Sequence, residues 1–336
     1  MKKLISLIMI SVFLLLCCSC QREEDPITST FISETEAEVK TQPFSTVITA
    51  SGERGNTRWA LFSDGRLEIN GSGECESGSW GSYINHIKKV VISEGITSIG
   101  ASAFENCKNL TEVVLPKSLQ RIEKRAFAMC GIKKIEIGIY LGALAGDAFI
   151  GCKLDDIKIA SGNPYLSTDQ YGVIFNKDKT LLILYSNGFR MNNYAVPASV
   201  KMIGENAFEG NQYLSSLTLS EGLIEIGNNA FKGCENLRKV RFPKGFYRIG
   251  VRSFSGCKAL NDVEFNEECT IIGEYAFEGC RSLKEITFLK GIEIIGSGAF
   301  EETLTKINYT GSAASWENVS KGDNPAFNAT SVTFGE

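Results

Sequence analysis

The sequence predicts a repeat solenoid: a right-handed coil with one parallel β-sheet face and short helical turns on the other face. Three observations predict it. The first is a period. Phe104 to Phe127 is 23 residues, Phe127 to Phe149 is 22, and Phe208, Phe231, Phe254, Phe277 and Phe300 are each 23 apart. Ile99, Ile122, Ile203, Ile226, Ile249, Ile272 and Ile295 keep the same beat, and a fixed period of this size marks stacked units that bury their apolar faces against one another. The second is the recurring phrase I-G-x-x-A-F-x-x-C-x-x-L-x-x-V-x-F/L-P, which divides into two local patterns. In "LRKVRF", Leu237, Val240 and Phe242 are set among charged residues, which predicts a short strand with one buried face. In "IGNNAFKGC", Ile226, Ala230, Phe231 and Cys234 fall near i, i+4, i+5 and i+8, which predicts a helical turn or tight bend packed inward. Its glycines are expected to supply positive φ at the sharp turns. The third is that the period breaks once: Phe149 to Phe208 is 59, or 23 plus an insert of 36.

The elements follow in order. Residues 1–19 read as a signal peptide, with a basic "MKK" and the 13-residue apolar run "LISLIMISVFLLL", too short to cross a bilayer comfortably. The run ends in "LLLCCSCQREEDP", which resembles the lipobox of bacterial lipoproteins. That resemblance implies lipidation at Cys20, preceded by the small Ser19, with Cys18 the weaker acceptor; Cys17 stands where the pattern usually has Leu. Residues 20–45 are rich in Thr, Ser and Glu without apolar periodicity and read as a disordered tether. Its "REED" resembles export signals of surface lipoproteins in Bacteroidetes. Residues 46–86 are expected to form an N-terminal β-hairpin cap, because Trp59, Leu61, Leu67 and Ile69 alternate around the turn "SDG". The solenoid spans 87–310. A hairpin insert at about 160–200 carries "YGVIF" and "TLLILY" on either side of "NKDK". Residues 311–336 lack the repeated phrase and read as a C-terminal cap.

Composition narrows the function classes. The 336-residue chain has a net charge of −4, which excludes a basic nucleic-acid footprint. It has one histidine, His86, so any Ser/His/Asp or Cys/His scheme would have to use that residue. His86 sits just before the first repeat strand and reads as structural. Cys107, Cys130, Cys152, Cys257 and Cys280 repeat the place of Cys234, with Asn211 and Thr303 there in two copies. This spacing is unlike the close pairs that zinc requires. Buried free thiols acting as small hydrophobes are expected. Disulfides between stacked neighbours are the alternative, since strand spacing is within reach of a bridge although the side chains should point in parallel. Cys75 and Cys269 fall outside the column, and the sequence gives no account of them. No metal or cofactor is expected, and no catalysis.

The array closely resembles the BspA-like leucine-rich repeat family of bacterial surface proteins, over residues from about 56 to 334 and in eight copies. The resemblance implies a leucine-rich-repeat solenoid on a lipid-anchored protein of the outer membrane or cell surface, binding a protein ligand without being an enzyme. A carbohydrate-binding accessory lipoprotein is the alternative. Two columns of outward side chains flank the buried strand residues. The candidate ligand-binding face on them is Lys134, Lys158, Lys239, Arg241, Asp262, Glu264, Glu285 and Lys306. A merely solvated sheet with weak cross-strand ion pairs fits the same pattern. The insert holds Tyr165, Tyr171, Phe175, Tyr185, Phe189 and Tyr194, where a sugar-stacking site would have to be. A monomer is expected.

Overall fold

The computed structural model describes residues 46–76, 80–300 and 303–335, so the signal peptide, Cys20 and the tether lie outside the described residues. The chain winds through about eleven coils. An ordinary coil supplies one strand of three or four residues and one of two, so two parallel ladders run along the solenoid.

The longer strands begin with an antiparallel sheet of Ile48–Arg54, Thr57–Phe62 and Arg66–Gly71. Here Trp59 faces Ile69 and Leu61 faces Leu67, the pairing that the alternation predicts. Arg66–Gly71 then pairs in parallel with Lys89–Ile92, and that strand with Glu112–Val114. Three further groups follow. They are Lys134–Ile137 with Asp156–Ile159, then Asn193–Ala195 through Asp262–Glu264, then Glu285–Phe288 through Ser331–Phe334. Residues 313–334 thus contribute a last coil, with two short helices, Ala313–Glu317 and Pro325–Ala329.

The short strands form the second ladder. Gly73–Cys75, Ile96–Ile99, Arg121–Ile122 and Ala143–Leu144 stack as one group. A second group starts in the insert. There Leu166–Thr168, Ile174–Asn176 and Leu181–Leu184 make an antiparallel meander, one strand more than the expected hairpin. It continues in parallel through Met202–Ile203 to Ser320–Lys321.

The face opposite the longer strands differs from the expected helical turns. Ile226 to Cys234 have helical spacing, but their amides do not form a helix. Asn229, Phe231 and Gly233 donate to Val251, Ser253 and Ser255 of the next coil, while Ala230, Lys232 and Cys234 donate three residues back. The result is a column of stacked turns. Most hold a left-handed residue two places before the phenylalanine, and in six coils it is not glycine: Ser102, Arg125, Asn206, Asn229, Arg252 and Tyr275 have φ of 54–58°. The glycine of I-G also has a different role from the one expected. Gly250 and Gly273 are not left-handed; a Cβ on Gly273 would lie 2.6 Å from the Gly250 carbonyl carbon. The glycine lets adjacent coils approach. Of the two glycines in "IGNNAFKGC", the one before Cys, Gly233 at φ 72°, supplies positive φ.

Inside, the aromatic residues form a pile. Trp80, Phe104, Phe127 and Phe149 stack with centroids 5.1–5.7 Å apart. Tyr185, Phe208, Phe231, Phe254, Phe277 and Phe300 stack at 4.6–5.3 Å. Tyr185 takes the phenylalanine place, 36 residues after Phe149 and 23 before Phe208, so the insert is one lengthened coil.

The cysteines among the described residues are buried free thiols. Cys130, Cys152, Cys234, Cys257 and Cys280 each place Sγ 3.0–3.2 Å from the carbonyl of the phenylalanine in the coil before, as sulfur donors. Asn211 and Thr303, which interrupt the column, each leave a buried polar atom without a partner. The remaining two cysteines also have places. Cys75 pairs with Ile99 in the short ladder, where an isoleucine would stand. Cys269 continues the buried series Leu223, Phe246, Ile292 at the same 23-residue step.

Two outcomes follow from this packing. Gly273→Ala should lower the free energy of unfolding by about 1–3 kcal/mol, the usual cost of an added methyl in a tight contact, read from the urea midpoint. An unchanged midpoint would mean that the coils can part at no cost. Burial pushes the Cys234 thiol up to about 12, from an ordinary value near 9.0. Its folded value is raised, so its stabilising contribution is complete below pH 9 and is lost as pH rises from there toward 12. The deficit of Cys234→Ala against the wild type should therefore shrink by about 1.4 kcal/mol per pH unit above pH 9. A deficit constant to pH 11 would overturn the buried-thiol account, as would finding no free thiols in the unfolded, unreduced chain.

Candidate functional site

The outward residues of the longer strands build one continuous class of surface, although the strands bearing it fall into separate sheets. Each strand's buried residue, such as Val240 or Val263, anchors it, and the residues on either side must point out. Parallel register then brings like positions together: Lys239 beside Asp262 and Arg241 beside Glu264.

Four of the eight candidate residues lie together in the middle of the solenoid. Lys239 Nζ donates to Asp262 and, at 2.9 Å, to Glu264 Oε1; Arg241 Nε reaches Glu264 Oε2 at 2.8 Å. The Lys239 ammonium, then the Arg241 guanidinium, hold the Glu264 carboxyl below the usual range, while Asp262 first and Glu264 second raise Lys239. Farther along, Lys306 lies 2.7 Å from Glu285, and Asn308 donates to the same oxygen at 2.8 Å. These two contacts hold Glu285 low. A groove of about 450 Å³, lined by Asp262, Glu264, Phe265, Glu285 and Thr287, lies between the two clusters.

Lys134 and Lys158 form a distinct pair of contacts, 3.5 Å to Asp156 and 3.8 Å to Glu136. They belong to a separate two-stranded sheet. A second groove, about 630 Å³, separates that sheet from the strand Glu112–Val114. The exposed ion pairs are of a kind worth about 0–1 kcal/mol each. They cost little to break, so they leave these charges free to exchange partners.

The sequence columns omitted members. Asn193 and Ala195 sit beside Ser216 and Thr218, and "YAVPASV" matches "VRFPKGF" closely enough to have placed them. Arg66, Glu68 and Lys89 extend the columns toward the N-terminal end.

The insert is mainly core. Phe175, Tyr185 and Tyr194 are buried, and Phe189 packs against them. Burial first, and then the hydrogen bond to Asp169, push the Tyr194 hydroxyl upward; its donor–acceptor distance is 2.7 Å. Tyr165 and Tyr171 remain exposed. His86 is exposed beside the opening hairpin.

The fold has solved counterparts. A leucine-rich repeat protein from Eubacterium ventriosum is similar over 76% of this chain and 82% of its own, at 22% identity and a TM-score of 0.58. A leucine-rich cell surface protein from Faecalibacterium prausnitzii covers 81% of this chain and 97% of its own, at 20% identity and 0.57. The pneumococcal vaccine antigen PcpA covers 84% and 90%, at 18% identity and 0.59. At these identities the likeness is one of fold. No curated protein sequence matches significantly. The description of the BspA type leucine rich repeat region, however, matches residues 82–172 and 184–310 in six copies. With the stacked coils, the phenylalanine pile and the cysteine column in place, the chain belongs to the BspA-type leucine-rich repeat family.

Proposed function

We propose that the protein is a lipid-anchored module of the cell surface that binds a protein ligand as a monomer through the charged face of its longer strands. The observation that carries this reading is the cross-strand network of Lys239, Arg241, Asp262 and Glu264 beside a groove that leads to Glu285. A broad array of both charge signs complements a protein surface and steers its approach. No aromatic ring stands among the four charged residues, and Phe265 in the groove is stacked between Phe242 and Phe288, so the face offers no free platform for sugar stacking. The carbohydrate reading would have to rest on Tyr165 and Tyr171, the exposed aromatics of the insert. Two similar solved proteins are described as a cell surface protein and a vaccine antigen, which supports a surface setting. No helix among the described residues is long and apolar enough to cross a membrane. Cys20 is the proposed point of attachment, with residues 20–45 as the tether and the outer membrane as the site.

Replacing charges with neutral groups tests the face without piling up acids. Lys239→Gln with Arg241→Gln should leave the urea midpoint nearly unchanged, since each exposed pair is worth about 0–1 kcal/mol. On an array of extracellular-matrix proteins and glycans, the variant should lose the wild-type protein signal, and that signal should weaken with salt. Retained protein binding would remove the face from consideration. A glycan signal lost on Tyr165→Ala with Tyr171→Ala would favour the carbohydrate reading instead.

Anchoring has its own readout. Cys20→Ala should abolish metabolic labelling by a fatty acid and release the protein from membranes, because stable attachment needs more than one acyl chain. Continued labelling would mean that another cysteine carries the lipid.

A further inference from the structure

The short-strand ladder stops at Ala143–Leu144 and resumes at Leu181–Leu184. In a parallel ladder, carbonyls two residues apart face the next strand. Gln120 and Ile122 show the pattern: Gln120 accepts from Gly142 and Ala143, and Ile122 from Ala145, at 3.0–3.1 Å. The equivalent carbonyls one coil on belong to Gly142 and Leu144. Among the described residues nothing donates to either. The amides equivalent to the donors to Gln120 have turned away from Gly142: Thr180 and Leu181 both donate to Asn176 Oδ1 at 2.9 Å.

The gap is closed off at both ends. Gly146 packs against the Glu205 carbonyl so closely that a Cβ would lie 2.1 Å from its oxygen. At the other end the Tyr165 ring covers Gly142. Between them is a cavity of about 620 Å³, with Leu181 and Ile183 on one wall and Ala143 and Leu144 on the other. The wall turns from the usual I-G to Ile122-Glu123 and Leu144-Ala145 here.

Two carbonyls in line call for two N–H groups spaced two residues apart, which is the edge of an extended chain. Charge narrows the occupant. Arg121 and Glu123 flank the cavity, and neither side chain makes an ion pair among the described residues. The small side chains of Ala143 and Ala145 lie between them and the vacant strand position, so both long side chains can reach across. The Lys124–Glu205 pair over the opening is exposed and 3.4 Å long, weak enough to part.

We propose that this gap is a peptide groove, in which an extended segment of a partner protein adds as a parallel strand to Ala143–Leu144. The segment carries an acidic side chain beside Arg121 and, two residues later, a basic one beside Glu123. The site is separate from the charged face of the longer strands. It rests only on the reading that the protein binds protein. Main-chain bonds would supply affinity and the alternate side chains would set the choice of sequence.

The probe is a random decapeptide library displayed on phage, selected on the whole protein. Selection should enrich acidic-x-basic peptides. Methylating the two alternate amides of a selected peptide should weaken binding about fivefold or more each, the cost of a lost main-chain hydrogen bond. Methylating the amide between them should change it less than about twofold. The doubly substituted R121E/E123R protein should select basic-x-acidic peptides, and Ala143→Trp, at an exposed position on the groove wall, should abolish binding. Lys239→Gln with Arg241→Gln should leave peptide binding intact, so failure of the charged-face reading and failure of this one are separate results. The proposal is overturned if no such motif is enriched, if amide methylation has no effect, or if R121E/E123R keeps the original preference.

Discussion

Each coil has to rise by one strand spacing, about 4.8 Å, and every contact along the solenoid answers to that distance. Parallel strands impose it through their hydrogen bonds. Aromatic rings tolerate it, since their centroids lie 4.6–5.7 Å apart within the two piles. Glycine permits it where the backbones of Gly250 and Gly273 nearly touch. The thiols of Cys130, Cys152, Cys234, Cys257 and Cys280 span it, each reaching the carbonyl of the coil before. None of these interactions is strong alone. They act together because one translation satisfies them all, which is why identical residues recur in identical places.

Much of this was legible in the sequence because translation writes itself as a period. The phenylalanine and isoleucine steps placed the strands, the buried face and the outward columns, and with them the contacts among Lys239, Arg241, Asp262 and Glu264. The opening hairpin was legible from its alternation. The turn face was misread for a physical reason: Ile226, Ala230, Phe231 and Cys234 have helical spacing, but spacing does not reveal whether an amide bonds within its coil or to the next. Cys269 escaped notice although it lies 23 residues after Phe246, because the column it joins mixes Leu, Val, Phe, Cys and Ile. The gap beside Ala143–Leu144 could not have been read. It depends on where the amides of Thr180 and Leu181 turn, and Asn176 decides that through a side-chain carbonyl.

The candidate surfaces are departures from the repeat. The longer-strand sheet opens between Glu112–Val114 and Lys134–Ile137, and again between Asp262–Glu264 and Glu285–Phe288; the grooves lie at those openings. The lengthened coil spends most of its aromatics on keeping the pile supplied, with Tyr185 as the substitute ring. A scaffold of this kind gains places to bind by interrupting its ladders locally while the interior remains in step.

The lengthened coil also divides the interior. No ring stacks between Phe149 and Tyr185, and the buried apolar residues form two clusters that meet there, one reaching from Leu61 to Leu184 and the other from Val173 to Ala326. In a one-dimensional array, cooperativity passes only between neighbours, so its weakest junction governs how the whole melts. The two blocks are therefore expected to behave as separate foldons, with the array parting at this joint first on heating or pulling.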